Sequence, residues 1–279
     1  MNRQWNPFSL STVLVGLLSV FLLVPLAQAK PPKTKKPKAG APPPTQPAPS
    51  PGEPAPPAPP PPPGLDGVDE RLWHFQTDAA RDALGRFMDQ ADANAYVSTA
   101  YGRVLEQQKK YGDAEGRFRK AAELAASDPA PYVYLGEVYL RQRRSGDADG
   151  AFRKAADLAR AKGGAEAAYY LGVAQQRLKQ YDEAVSTLQG AQAPAPALIP
   201  YQIGVTRAFQ ENWPAALEQL NRAVEMDSGL AYAYYYRGLV QDKLGHKDLL
   251  VNDMERFLAL APNAPEAEGA RAILRAVKH

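Results

Sequence analysis

Five glycines, Gly102, Gly136, Gly172, Gly204 and Gly238, recur at gaps of 34, 36, 32 and 34 residues, and twelve residues after each stands Ala114, Ala148, Ala184, Ala216 or Leu250. The inner spacing never slips. Four residues further come Phe118, Phe152, Leu188, Leu220 and Met254, and three beyond those Ala121, Ala155, Ala191, Ala223 and Phe257. An i, i+4, i+7 set lies along one face of an α-helix, so the second half of each unit is predicted to be an amphipathic helix. Helix axes approach to about 8–10 Å only where small side chains meet at the crossing. A glycine on a first helix, opposite the small alanine of the second, therefore describes a packed helical hairpin. One hairpin cannot bury its apolar face alone, and stacking on its neighbours supplies the missing core.

Breaks are expected at Gly112-Asp113, Gly146-Asp147, Tyr181-Asp182, Asn212-Trp213-Pro214 and Gly245-His246, with Asp and Asn capping the second helices and Pro214 in a first turn. The unit resembles the tetratricopeptide repeat (TPR), which reads W-x2-L-G-x2-Y, then A-x3-F, an alanine and a proline. Tyr132-x2-Leu135-Gly136-x2-Tyr139 with Ala148 and Phe152 carries the likeness, as does Leu171-Gly172 with Tyr181, Ala184 and Pro196. Ser98, Ala168 and Pro200 depart from it at the large aromatic place, and Ala126, Arg160 and Ser228 at the closing proline. The resemblance implies an all-α fold: a right-handed superhelical solenoid of about five hairpins over residues 95–264. Its repeats are 95–128, 129–164, 165–196, 197–230 and 231–264. In 65–94, Ala80, Leu84 and Phe87 precede Ala114, Phe118 and Ala121 by 34 residues, so an unpaired helix from about Phe75 to Gln90 is expected to cap the front. Residues 265–279 would cap the back.

The first quarter of the chain is of another kind. Leu10 to Leu26 is an apolar run without charge, preceded by Arg3 and followed by Ala27-Gln28-Ala29, the small-x-small pattern of a cleaved secretory signal. Residues 1–29 are thus expected to be an apolar helix that exports the chain to the periplasm or cell envelope. At seventeen residues it is also just long enough for an uncleaved inner-membrane anchor. Lys30, Lys33, Lys35, Lys36 and Lys38 follow it, and the positive-inside rule would hold them in the cytoplasm, which keeps an inverted anchor open. Residues 30–64 are rich in Lys and Pro, and from Ala39 onward nearly all Pro, Ala and Gly. Such a segment builds neither a ladder nor a core, and is expected to be a disordered polyproline II spacer. Its lysines are read as solvated, with attraction to anionic lipid or cell-wall polymer as the alternative.

Charge is split in the same way. Before residue 65 there are 6 Lys and Arg against 1 acid, and after it 27 against 29, so the repeats lack the basic face that nucleic acid requires. No cysteine is present, which removes disulfides, thiolate metal sites, cysteine nucleophiles and a lipidated cysteine anchor. Phosphate loops, dinucleotide fingerprints, H-E-x-x-H, G-x-S-x-G and the EF-hand loop do not occur. His74, His246 and His279 form no i, i+3 or i, i+4 pair, and Asp66, Asp69 and Glu70 lack a calcium loop. No enzyme, cofactor or metal is expected.

In TPR folds the first helix of each unit lines the concave groove, and 12 of the 14 tyrosines here fall on first helices. Transferring the family's groove register gives Tyr96, Thr99 and Arg103, then Val133, Glu137 and Arg141, then Tyr169, Val173 and Arg177. The fourth unit contributes Leu198, Tyr201, Val205 and Phe209, and the fifth Tyr232, Tyr235, Leu239 and Lys243. Aromatic anchors with arginine forks suit an extended or helical peptide. The family's carboxylate clamp for chaperone tails needs particular lysines and asparagines, whereas Thr99, Arg103, Tyr134, Glu166 and Tyr170 occupy those places here. The resemblance implies a non-catalytic scaffold or adaptor that binds a protein or peptide partner in the cell envelope. The alternative is an accessory module that recruits glycan to a wall- or polysaccharide-processing enzyme.

Overall fold

Where the sequence alternates small and large apolar residues, the chain forms paired antiparallel helices. The computed structural model describes residues 63–278, all within the unit Pro56–His279. The segment expected to direct export, and the linker apart from its last two residues, lie outside the described residues. After α1 (Val68–Trp73) and α2 (Thr77–Leu84) comes a 3-10 turn, Gly85–Gln90. Five hairpins follow: α3 (Ala95–Gln107) with α4 (Tyr111–Leu124), α5 (Ala130–Arg141) with α6 (Ser145–Lys162), α7 (Gly164–Arg177) with α8 (Tyr181–Gln189), α9 (Leu198–Phe209) with α10 (Trp213–Met226), and α11 (Ala231–Lys243) with α12 (Lys247–Leu260). A last helix, α13 (Ala267–Lys278), closes the series, and no strand occurs among the described residues. Each helix packs on its neighbours in the chain, and α3, α5, α7, α9 and α11 also touch in succession. The fold is an all-α solenoid whose first helices form one continuous inner layer.

Each hairpin is held shut by its glycine facing the large residue of the second helix, and not the small alanine expected opposite it, because the missing Cβ leaves room for the large side chain. Ala114, Phe118 and Ala121, and their counterparts Ala148, Phe152 and Ala155, are at most 1% exposed. A Cβ on Gly102 would stand 2.6 Å from Cε1 of Phe118, and one on Gly172 2.6 Å from Cγ of Leu188. Leu250, Met254 and Phe257 fill the same places in the last hairpin and are equally buried. Ala191 differs from expectation: α8 ends at Gln189, because Gly190, Pro194 and Pro196 do not continue a helix, and Ala191 lies in the following loop.

The turns inside the hairpins also differ from those expected. Each first helix ends with one residue in the left-handed region: Lys109 (φ 62°), Arg143 (63°), Lys179 (63°), Glu211 (58°) and Gly245 (83°). The next amide reaches back to the carbonyl five residues earlier, as in Lys110 N–H to Leu105 O (2.9 Å) and Arg144 N–H to Tyr139 O (2.8 Å). This is a Schellman closure that satisfies the orphan carbonyls of the first helix. Gly112-Asp113 and Gly146-Asp147, expected as the breaks, therefore lie inside the first turns of α4 and α6, where the aspartates complement the helix dipole instead of capping. Of the five second helices only α10 has a side-chain cap, Asn212 accepting from Ala215 N–H at 3.3 Å.

The front cap is not the single helix expected from Phe75 to Gln90. Phe75 is itself left-handed (φ 56°), and Gln76 N–H donates to Arg71 O at 2.8 Å, the same closure once more. From Phe75 to Gly245 these turn residues follow the 34-residue repeat, so α1 and α2 are a shortened sixth hairpin. Its core of Leu65, Val68, Leu72, Ala80 and Leu84 continues into Val97, Ala100 and Val104 of α3. At the other end Ala264, Ala267 and Ala270 are buried where α13 covers α12.

Candidate functional site

On the inner layer, side chains spaced i, i+4, i+8 along one helix share a face. Glu137 and Arg141 stand four and eight residues after Val133, and Val173 and Arg177 stand likewise after Tyr169. These faces converge on a cavity of about 190 Å³. Of the residues expected in the groove, Arg103, Val133, Glu137, Arg141, Tyr169, Val173, Arg177, Leu198, Tyr201 and Tyr232 line it. Tyr96, Thr99, Val205, Phe209, Tyr235, Leu239 and Lys243 do not. The Tyr96 hydroxyl donates to Asp69 beneath the front cap (3.0 Å), and Phe209 stacks on Tyr181 at 5.9 Å. Tyr235 packs on Phe257 at 5.0 Å inside the last hairpin, and Lys243 is exposed at the end of α11.

Several residues outside the expected register also line the cavity: Trp73, Phe75, Glu106, Tyr134, Tyr170, Tyr236 and Glu266. Tyr134, Tyr170 and Tyr236 stand one position after the register residues Val133, Tyr169 and Tyr235, and their spacings of 36 and 66 follow the repeat. That periodic column was the available signal. Trp73, Phe75 and Glu266 had none, because they arrive from the two caps.

The caps close the inner face. His74 Nε2 lies 3.0 and 2.9 Å from the two carboxylate oxygens of Asp227, 153 residues away, and Phe75 meets Tyr232 at 5.4 Å between ring centroids. Gly229, beside Asp227, has no Cβ to collide with the His74 ring, whose Nε2 would be 2.9 Å away. From the other end Glu266 accepts from Arg141 Nη1 (2.6 Å) and from the Tyr232 hydroxyl.

The arginine forks are engaged within the chain. Arg141 pairs with Glu266, Arg177 with Glu137 (2.6 Å), and Arg103 with Asp69 (2.5 Å). Burial opposes the charge of Arg141 and Arg177, yet Glu266 and Glu137 carry each guanidinium above its ordinary range. Arg103 also lies over the Trp73 ring, 3.9 Å from its centroid, and 5.4 Å from that of Tyr134. Burial lifts the Tyr134 hydroxyl to about 12 against the opposing pull of Arg103. Glu106 is the exception: its carboxyl makes no hydrogen bond or ion pair among the described residues, and burial pushes it up to about 7 while Arg141 and Arg103 pull the other way. No group of three or more metal-ligating side chains gathers among the described residues. The cavity offers aromatic walls, paired arginines and one carboxyl without a hydrogen-bond or ion-pair partner among the described residues, a set suited to holding a ligand.

No protein-family model and no curated protein sequence matches the chain. Solved structures do. Cut9, in the APC/C hetero-tetramer Cut9–Hcn1, superposes with a TM-score of 0.51 at 17% identity, over 77% of this chain and 42% of that one. The present chain thus spans well under half the length of Cut9. YrrB, a TPR protein with an unusual peptide-binding site, gives 0.36 at 22% identity over 68% of this chain and 98% of its own. The TPR2AB domain of yeast Sti1, in complex with an Hsp90 peptide, gives 0.38 at 13% over 77% and 97%. The superposition on Cut9, together with the glycine-large register and the repeated hairpin turns, establishes that the five hairpins from α3 to α12 have the tetratricopeptide-repeat fold.

Proposed function

We propose that the protein is a non-catalytic adaptor that holds a segment of a partner protein in the cavity on its inner face, and that it works in the cell envelope, exported by residues 1–29. The observation that carries the binding part is the convergence of aromatic and charged residues from α3, α5, α7, α9 and α11 on one cavity, walled at its ends by Trp73 and Glu266. Apolar walls with a few placed polar groups are the ordinary make-up of a ligand site. Cut9, which shares the fold, is solved within a hetero-tetramer with Hcn1, in keeping with partner binding. Export rests on the apolar run and the Ala27-Gln28-Ala29 pattern, and a mature chain beginning at Lys30 is the result expected from amino-terminal sequencing.

Photocrosslinking in cells tests the cavity. With p-benzoylphenylalanine in place of Tyr201, which lines the cavity, irradiation is expected to trap one partner through a defined segment. The same residue placed at Lys154, exposed on α6, is expected not to trap it. A partner captured from Lys154 and not from Tyr201 would move the binding surface to the outer face.

A further inference from the structure

Every arginine at the cavity has a carboxylate in contact, whereas one carboxyl there has no cation in contact among the described residues. Arg103, Arg141 and Arg177 are each matched by a carboxylate, at 2.5, 2.6 and 2.6 Å, so an anionic ligand would have to displace a partner already in contact. Glu106 lines the same cavity with no such match among the described residues. A half-buried carboxyl without a partner carries a desolvation cost that a cation would relieve. The surrounding walls are of the type that attracts cations: Tyr134, Tyr170, Tyr201 and Tyr236 line the cavity, and Trp73 already carries the Arg103 guanidinium over its ring. A volume of about 190 Å³ admits a side chain or small molecule and not a folded element.

We propose that the cavity binds an organic ammonium group, supplied by a lysine side chain of the partner, with Glu106 as its carboxylate acceptor and Trp73, Tyr134, Tyr170 and Tyr236 as its aromatic walls. The proposal rests on the adaptor function and names the chemistry that the adaptor selects. Contact with the cation favours the ionised carboxyl, so binding at neutral pH releases protons and strengthens as pH rises through about 7, the range to which burial lifts Glu106. Arg103, Arg141, Glu137, Glu266, Tyr111 and Tyr134 also act on this carboxyl, so the pH response has to be assigned by substitution.

The test is a ligand-observed NMR titration of the full chain with Nα-acetyl-lysine methylamide, its Nε-acetylated form and butylammonium. Acetylation of the ε-amine is expected to weaken binding at least tenfold. Glu106→Gln, close in size and checked for an unchanged melting transition, should cause a similar loss and abolish the rise in affinity between pH 6 and 8. A second variant, Tyr236→Leu, removes one ring at an inner-layer position and should weaken the charged probe while leaving the acetylated probe unchanged. Butylammonium binding by the unaltered chain that is lost in Glu106→Gln supports the ammonium site. Equal binding of the charged and acetylated probes, full affinity in Glu106→Gln, or no binding of either amine would overturn it. If the Tyr201 crosslink still traps a partner after such a result, the adaptor function stands and only the ammonium site is lost. Amine binding without a cavity-specific crosslink would leave the site as a receptor for free amines, contrary to the lysine source proposed.

Discussion

At the scale of single residues, the solenoid depends on what each hairpin glycine faces. A methyl group at Gly102 would meet the ring of Phe118, which is fully buried and stacked on Tyr134 at 5.4 Å, so the ring has nowhere to move. At Gly238 the nearest atom is the terminal methyl of Met254, at 2.9 Å, the far end of a flexible chain. Gly102→Ala is therefore expected to cost about 2–3 kcal/mol and Gly238→Ala about 1 kcal/mol or less, the range for overpacking a well-filled core. Paired urea titrations read the difference directly, and equal losses would mean that the large residue opposite does not set the cost. The glycines and the small-large stripe were legible in the sequence from their fixed offsets, but the pairing was not: spacing places a glycine near the alanine twelve residues on, and only the crossing geometry turns it to the large residue sixteen on. The ion pairs were not. Arg141 and Arg177 look like free forks when each repeat is considered alone, and only the stacking of α5 on α7 and the return of the chain at Glu266 bring their carboxylates within reach.

At the scale of the element, the hairpin turn shows a tension between local preference and tertiary geometry. Lys109, Arg143, Lys179 and Glu211 occupy a left-handed conformation that costs an L-residue about 1–2 kcal/mol, while Gly245 alone takes it freely. All four are exposed, and none forms an ion pair among the described residues. Two helices packed through a glycine contact need this tight closure, so the geometry prevails over the preference of the residue. Replacing any of the four with glycine should stabilise the protein by about 0.5–1 kcal/mol, the relieved strain less the added freedom of the unfolded chain. Lys109→Gly and Arg143→Gly together should raise the melting temperature by roughly 2–6 °C for a domain of this size. A lowered transition would show that these turns are held by side-chain contacts and not by backbone closure. The offset of this turn from the sequence signals explains why its position was not legible. Gly112-Asp113 and Gly146-Asp147 look like breaks, yet an aspartate in a first helical turn is as well placed as one at a cap, and four of the five residues that make the turns belong to types that seldom do. The same feature hid the shortened front hairpin, whose turn is made by Phe75.

At the scale of the whole repeat unit, a solenoid is ordinarily stabilised by nearest-neighbour interfaces alone, and each repeat is blind to those beyond the next. Here the front cap reaches past that limit, through His74 to Asp227 and Phe75 to Tyr232, so the first and last hairpins share a contact that spans the inner face. No periodicity encodes such a closure. It follows from the accumulated rotation of successive hairpins, which is why the cavity's end walls could not be foreseen while its aromatic column could. The contact has a thermodynamic consequence: a bridge between distant repeats couples their opening, so loosening one side must loosen the other. His74→Ala removes the ring that both carboxylate oxygens of Asp227 contact, and Asp227 would keep only its bond from Gly229 N–H (2.8 Å). Faster amide hydrogen exchange is expected in α1 and in the turn from 227 to 232, although 153 residues separate the two ends of the bridge. The denaturant transition should also broaden, because hairpins released from the bridge unfold with less cooperativity. Acceleration confined to α1, with the 227–232 turn and the slope unchanged, would show that the bridge lies across the cavity without coupling its walls.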